Sequence, residues 1–452
     1  MPPATLTSPS IAPPPAVARS PARANAVINK VDGADKAFHD WYRFVLSFPP
    51  HLVRDYCARF DLAPGQTVLD PFSGTGTTVL EAKLNGIDAI GLEANPMAHF
   101  AGVTKTAWSC SPSALRRSAD KVMDAALREL KHLKLADEVC NPLKVLPDGL
   151  ALRTLPPEAE ALLLKRSISP VPLHKALVLL DAIETEAPPR LRGMLRLALA
   201  RELVSSISNL HFGPEVGVRG YKVDTPAVTA WRSRVEIMAD DLERAPDLPA
   251  ATARIALADA RDMARHLEPA SIDAVFTSPP YPNEKDYTRT TRLESVLLGF
   301  VNDKTQMRAL KKTLLRSNTR GVYRGDEDDA FVAQFSRVQD IATEIERRRI
   351  AMGKTSGFER MYARVTKLYF GGMARHLADL RPFLKPGAQL GYVVGDQASY
   401  LQVMIRTGQL LAEIAESLGY RVDRIDLFRT RLATATKEQI REEVLVLTWP
   451  GA

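Results

Sequence analysis

The spacing of apolar residues changes period several times along the chain. Thr67-Val68-Leu69 is a short β-prone run ending at the turn-forming Asp70-Pro71-Phe72, and Thr77 to Asn85 has helical spacing closed by Gly86. Ala89-Ile90-Gly91-Leu92-Glu93 then reads as a second strand, which predicts a β-α-β unit with glycines in its first turn. Upstream, the aromatic stretch Trp41 to Phe48 precedes Pro49-Pro50, and a helix is expected from there through Arg59. Beyond Lys105 the periodicity is helical over 112–135, 156–166, 172–187 and 190–208, interrupted by Pro156-Pro157, Pro170 and Pro188-Pro189. The loop from His211 to Lys222 breaks that texture. Strands return at Arg254 to Asp259 and Ile272 to Thr277, two runs with the character of buried parallel strands. A charged, helical stretch covers about 301–360, followed by a helix over 366–383, a strand from Ala388 to Val394 and a helix-to-strand segment from Lys437 to Trp449. No internal repeat is present.

This order predicts an α/β fold, Rossmann-like, with a mainly helical insertion domain. The expected boundaries are a Pro/Ala-rich disordered tail at 1–37, core at 38–109, the helical insertion at 110–250, core at 251–300, a charged helical insertion at 301–363, and core strands at 364–452. A chain of 452 residues, 45% hydrophobic and 25% charged, is long enough for two to four cored units. No apolar run approaches the ~18 uncharged residues of a membrane span, and Met1-Pro2-Pro3-Ala4 lacks the order of a secretory signal, so no membrane association and a cytoplasmic location are expected. Cys57, Cys110 and Cys140 lack paired spacing, and the eight histidines show no H-x-x-x-H pattern, so no metal is assigned. With 60 Lys plus Arg against 53 Asp plus Glu, the net charge of +7 hints at a polyanionic partner without requiring one.

Candidate chemistry concentrates at two turns. Asp70-Pro71-Phe72-Ser73-Gly74-Thr75-Gly76-Thr77-Thr78 follows a strand and opens a helix, where glycines let a ligand approach backbone N–H groups. It matches neither G-x-G-x-x-G nor a phosphate-binding loop, and Glu93, near the end of the next strand, suits ribose hydroxyls. The second turn, Thr277-Ser278-Pro279-Pro280-Tyr281, ends a buried strand at the edge where open α/β sheets bind ligands. Its two prolines fix φ and supply no N–H, leaving the Pro279 carbonyl and the Ser278 hydroxyl as acceptors, and Tyr281 offers a ring on which a planar base can stack.

Together these two motifs resemble those of the S-adenosylmethionine-dependent amino-methyltransferases of DNA, over about 38–108, 252–300 and 364–450. The resemblance implies a class I methyltransferase core, with S-adenosyl-L-methionine as cofactor and DNA as partner. It implies a cofactor site made of Phe48, Pro49, Asp70, Pro71, Phe72, Gly74, Gly76, Thr77, Glu93 and Asp259, the last facing the adenine of the cofactor. The catalytic set would be Ser278, Pro279, Pro280 and Tyr281. In such enzymes, acceptors beside the exocyclic amine expose the nitrogen lone pair that is otherwise delocalised into the base. Ser at position 278 resembles the cytosine-N4 members, whereas Asp or Asn would resemble the adenine-N6 members. Cytosine-C5 chemistry needs a thiolate, usually in a Pro-Cys pair, and Tyr56, Ser109 and Val139 precede the three cysteines.

Other readings compete. A tRNA guanine-N2 methyltransferase has a similar pair of motifs but usually carries an RNA-binding domain ahead of them. A nicotinamide-dependent enzyme would share the glycine turn and acid, and a non-catalytic nucleic-acid-binding protein would be expected to have damaged one motif. Restriction or other defence proteins are possible cognate partners. Arg289, Arg292, Lys311, Lys312, Arg316 and Arg320 follow the second turn and are candidates for DNA phosphates, against the plainer reading of a solvated, self-paired helix face. The 110–250 insertion is the candidate target-recognition unit.

Overall fold

The computed structural model describes residues 35–42, 47–138, 151–212, 216–283, 285–432 and 439–451. The expected tail up to residue 34 and Cys140 lie outside them. Seven strands form the central sheet: β1 (Thr67–Asp70), β2 (Asp88–Glu93), β3 (Ala253–Leu257), β4 (Ile272–Thr277), β5 (Leu384–Gly395), β6 (Arg421–Leu432) and β7 (Gln439–Thr448). Their order is β3-β2-β1-β4-β5-β7-β6. Every pairing from β3 to β5 is parallel, and β7 lies antiparallel to both its neighbours. This is a mostly parallel α/β sheet with helices on both faces, as the sequence predicts for a Rossmann-like core.

The position of the site follows from this order. From β1 the chain moves outward to β2 and β3, then returns to lay β4 on the opposite side of β1, with Val68 opposite Ala274 and Leu69 opposite Val275. At such a reversal the loops leaving the carboxyl ends of the two central strands diverge and open a crevice. Turns roughly two hundred residues apart in sequence thereby become neighbours.

Side-chain alternation divides the sheet's packing. Leu69, Ile90, Val275 and Leu390 face one core, whereas Val68, Ala89, Ala274 and Val393 face another. The first face is covered by α9 (Ser336–Ala351), α10 (Tyr362–Leu380) and α11 (Thr407–Ser417), the second by α1 (Pro50–Arg59) and α2 (Thr77–Leu84). A third core joins α3 (Pro96–Thr106) to the long helices α4 (Pro112–His132), α5 (Pro170–Glu186), α6 (Pro189–Glu202) and α7 (Ala227–Glu243). Met97 and Ala101 of α3, and Leu293 to Leu310 beyond the second turn, share that core, so the helices between α3 and β3 are packed directly on the sheet unit. Phe38, Trp41 and Tyr42 close the seam. The Trp41 Nε1–H donates to Asp241 at 2.9 Å, and the Tyr42 hydroxyl donates to Glu294.

Some expectations need correction. Only Pro157–Glu160 of the predicted 156–166 helix is helical. The contrasting loop contains a two-stranded antiparallel hairpin, Leu210–Phe212 with Val216–Val218. From Gln439 onward the segment predicted as helix-to-strand is strand, while 433–438 lie outside the described residues. Helix α11 and strand β6 were not anticipated. β6 reads Arg421-Val422-Asp423-Arg424-Ile425-Asp426, a charged pattern suited to an edge strand whose Arg424 and Asp426 pair with one another.

Candidate active site

The first turn is built by its own backbone. Ser73 N–H donates to the Leu92 carbonyl at 2.9 Å and Gly76 N–H to the Ser73 carbonyl at 2.8 Å. Gly74 and Gly76 have φ of +53° and +81°, a region that costs other L residues. Gly74 lines the pocket and a Cβ there would meet nothing within 4 Å, whereas one on Gly76 would crowd the Gly102 Cα at 3.2 Å. The two glycines therefore serve different ends: access at 74, close helix packing at 76.

Glu93 holds this turn from β2. One carboxylate oxygen accepts the Gly74 N–H at 2.6 Å and the other the Asn95 N–H at 2.7 Å. Burial outweighs these bonds and pushes the Glu93 carboxyl up to about 7. Asp70 lies below the turn, 1% exposed, and one of its oxygens accepts the Thr277 hydroxyl at 2.6 Å and the Phe72 N–H at 3.1 Å. Burial raises its carboxyl to about 6, against the lowering effect of Thr277, Thr78 and the Phe72 N–H. Asp70 thus stitches β1 to β4 beneath the crevice; neither it nor Gly76 forms the pocket wall.

Above this floor is an open pocket of about 360 Å³ that brings the two motifs together. Phe48, Pro49, Pro71, Phe72, Gly74, Thr77, Glu93 and Asp259 line one part, and Ser278, Pro279, Pro280 and Tyr281 another. The Ser278 hydroxyl donates to the Val393 carbonyl at 3.2 Å, leaving its oxygen lone pairs to accept. Burial raises the pKa of the Tyr281 hydroxyl, the Glu442 carboxylate adds to that, and the neighbouring Ser278 opposes it. The Tyr281 ring is seated on Gly395, where a Cβ would come within 2.9 Å of it, and the Tyr281 N–H donates to the Tyr287 hydroxyl at 3.1 Å. The turn is held from three sides.

The basic candidates separate. Arg316 is 6% exposed: it forks onto Asp326 at 2.9 and 2.8 Å and donates to the Lys311, Lys312 and Leu314 carbonyls, so it braces the end of α8 (Lys304–Thr313) and is withdrawn from phosphate contact. Arg292 donates to Thr288 and to the Leu162 carbonyl, another internal role. Lys311 pairs with Asp286 at 2.7 Å on the pocket wall; burial pulls the Asp286 carboxyl upward, but Lys311 and Arg292 hold it below its usual range. Lys312 and Arg320 are exposed, packing over Tyr323 and Phe358 at 5.7 Å. Arg289 is half-buried beside Arg292.

Sequence reasoning missed Asn283, Ser317 and Asn318, which line the pocket on the side of the second turn, and the Arg429–Glu442 ion pair on β6 and β7. Asn283 carried a signal, standing two residues beyond Tyr281. The others lie on elements whose proximity the linear pattern does not show. Among the described residues no group of side chains could hold a metal ion, and no helix is long and apolar enough to cross a membrane.

A crevice at the switch point of this sheet, with a glycine turn on one side and S-P-P-Y on the other, defines an α/β methyltransferase-type core. Comparison with known proteins bears out the resemblance to the amino-methyltransferases of DNA: the N6/N4 DNA methylase family matches residues 30–101. The chain is 25% identical over 438 residues to the Type II methyltransferase M.BsoBI of Geobacillus stearothermophilus, an alignment covering 89% of this chain and 82% of that protein. It is also 30% identical over 173 residues to the Type II methyltransferase M.AvaI of a Nostoc strain, covering 37% of this chain and 34% of that relative.

Proposed function

We propose that this protein transfers a methyl group from S-adenosylmethionine to an exocyclic amine of a flipped DNA base, cytosine N4 in preference to adenine N6, as the modifying member of a cytoplasmic restriction-modification system. The observation that carries this reading is the single pocket into which both motifs open. The residues suit the cofactor: open space beside Gly74 admits a ligand to the backbone, the Glu93 carboxylate can accept ribose hydroxyls, and Asp259 can accept from an adenine amine. The cofactor supplies an electrophilic methyl group. The chain's own part is positioning.

Ser278 Oγ, its proton directed to Val393, and the carbonyl of Pro279 take the two N–H bonds of the substrate amine and turn its lone pair toward the cofactor side. Tyr281 stacks on the base. The prolines bring no N–H that would compete for the same acceptors. Adenine N6 remains the second reading, since the same acceptors serve either amine, and transfer to RNA the third. Binding of a nicotinamide dinucleotide but not of S-adenosylmethionine, by calorimetry, would overturn the proposal.

Two expected outcomes arise here. Ionised Glu93 is the better acceptor for ribose hydroxyls, and with its carboxyl pushed up to about 7, that form is the minority at pH 6 and the majority at pH 8. Cofactor affinity should therefore rise with pH, by roughly tenfold over those two units. Calorimetric titrations at pH 6, 7 and 8 check this; a flat series would mean that Glu93 is ionised throughout or does not meet the cofactor. For DNA, the outward-facing Lys312 and Arg320 remain as candidates to meet phosphates. Replacing both with Ala should lower the salt slope of duplex binding by about 0.9 for each phosphate that is no longer neutralised, for any sequence. An unchanged slope would leave them as decoration of a solvated surface.

A further inference from the structure

The acid that faces the pocket from just beyond β3 is held by an arginine that sequence reasoning passed over. Arg261 Nε donates to one oxygen of Asp259 at 2.9 Å and Nη2 to the other at 2.7 Å, while the Arg261 backbone N–H adds a third bond at 3.0 Å. The remaining nitrogen, Nη1, donates to Asp328. Nη2 also reaches the Thr313 carbonyl at 3.5 Å. Thr313 is the last residue of α8, and the next five, Leu314 to Asn318, all line the pocket. Asp328 belongs to a turn seated directly on α10: a Cβ on Gly371 would collide with the Asp328 carbonyl, and one on Gly372 with the Leu315 side chain. Arg375 of α10 reaches the other Asp328 oxygen at 3.5 Å.

Arg261, 9% exposed, therefore links an acid of the expected cofactor subsite to the end of α8, from which residues 314–318 continue along the pocket lining. Its planar fork allows this geometry. Lysine offers a single charged centre and cannot serve a two-point carboxylate contact and a second acid together. Asp328 is buried and Asp259 is partly exposed where it faces the pocket, and the guanidinium they share passes a displacement of Asp259 to Asp328 and Thr313.

We infer that Arg261 is a positioning residue that couples the two sides of the site: it orients Asp259 toward the cofactor and fixes residues 314–318 as the wall against which the substrate base is placed. The inference rests on the methyltransferase reading, so the test uses S-adenosylhomocysteine, followed both by calorimetry and by amide hydrogen exchange. In the parent, the analogue should bind and slow exchange at 314–318. Arg261→Gln should bind it about tenfold more weakly, a loss near 1.4 kcal/mol. Even at saturation, this variant should show no slowing at 314–318. Asp328→Asn, which leaves the Asp259 contact in place, should bind within about threefold of the parent yet also lose the slowing. Arg261→Lys should restore part of the affinity and little of the slowing. This pattern separates coupling from a merely structural role, and the Asp328 and Lys variants carry the test if Arg261→Gln does not fold. Slowing as large as the parent's in folded Arg261→Lys and Asp328→Asn would overturn the inference alone. Failure of the parent to bind the analogue would overturn the methyltransferase reading and the inference with it.

Discussion

Replacing Ser278 with Ala is expected to lower turnover about 100-fold while S-adenosylmethionine affinity stays within about twofold, since an interaction made at the reacting amine acts on the transition state. The hydroxyl donates its proton to the Val393 carbonyl and lies near the Tyr281 hydroxyl. Ala removes the acceptor. Tyr281→Ala should cost at least as much turnover, because it also removes the ring seated on Gly395. From sequence, Tyr281→Phe should retain much of the activity through stacking. Single-turnover rates beside calorimetric cofactor affinities make the comparison, and a near-parental rate in Tyr281→Ala would show that the base is held elsewhere.

Glu93→Ala is expected to weaken S-adenosylmethionine binding about 100-fold, because three sets of hydrogen bonds go at once, each commonly worth about 1 kcal/mol and more when charged. The Gly74 and Asn95 N–H groups lose the acceptors that hold the turn, and the ribose hydroxyls lose theirs. Glu93→Gln keeps the size but only one acceptor oxygen, so it should bind between the two. Removing a buried carboxyl that burial drives toward neutrality should also flatten the pH dependence of binding between pH 6 and 8. Affinity equal to the parent's in both variants would move the ribose away from Glu93.

The parts legible in the sequence are those where local pattern and final environment agree. β1, α2, β2 and β4 stand where expected because buried parallel strands read as short apolar runs, and Pro, Gly and Asp mark their ends. β6 was hidden because an edge strand with one polar face carries Arg and Asp at positions where a buried strand carries Val or Ile. The site was legible as two motifs but not as one pocket. That proximity comes from the return of the chain to place β4 beside β1, sealed by the Thr277 to Asp70 bond across 207 positions. Charge was the least legible feature. Arg316 and Lys311 look alike in a basic stretch, yet one braces a helix end and the other pairs with Asp286 on the pocket wall, and only three-dimensional pairing distinguishes them from the exposed Lys312.

The most direct measurement is transfer of a labelled methyl group from S-adenosylmethionine to unmethylated genomic DNA and, in parallel, to total RNA, with nucleoside analysis of the products. The account predicts label in DNA as N4-methylcytosine, formed about 100-fold more slowly by Ser278→Ala. Label as N6-methyladenine would keep the reaction and correct the base. Label confined to RNA, or none in either nucleic acid from protein that binds the cofactor, would contradict the account.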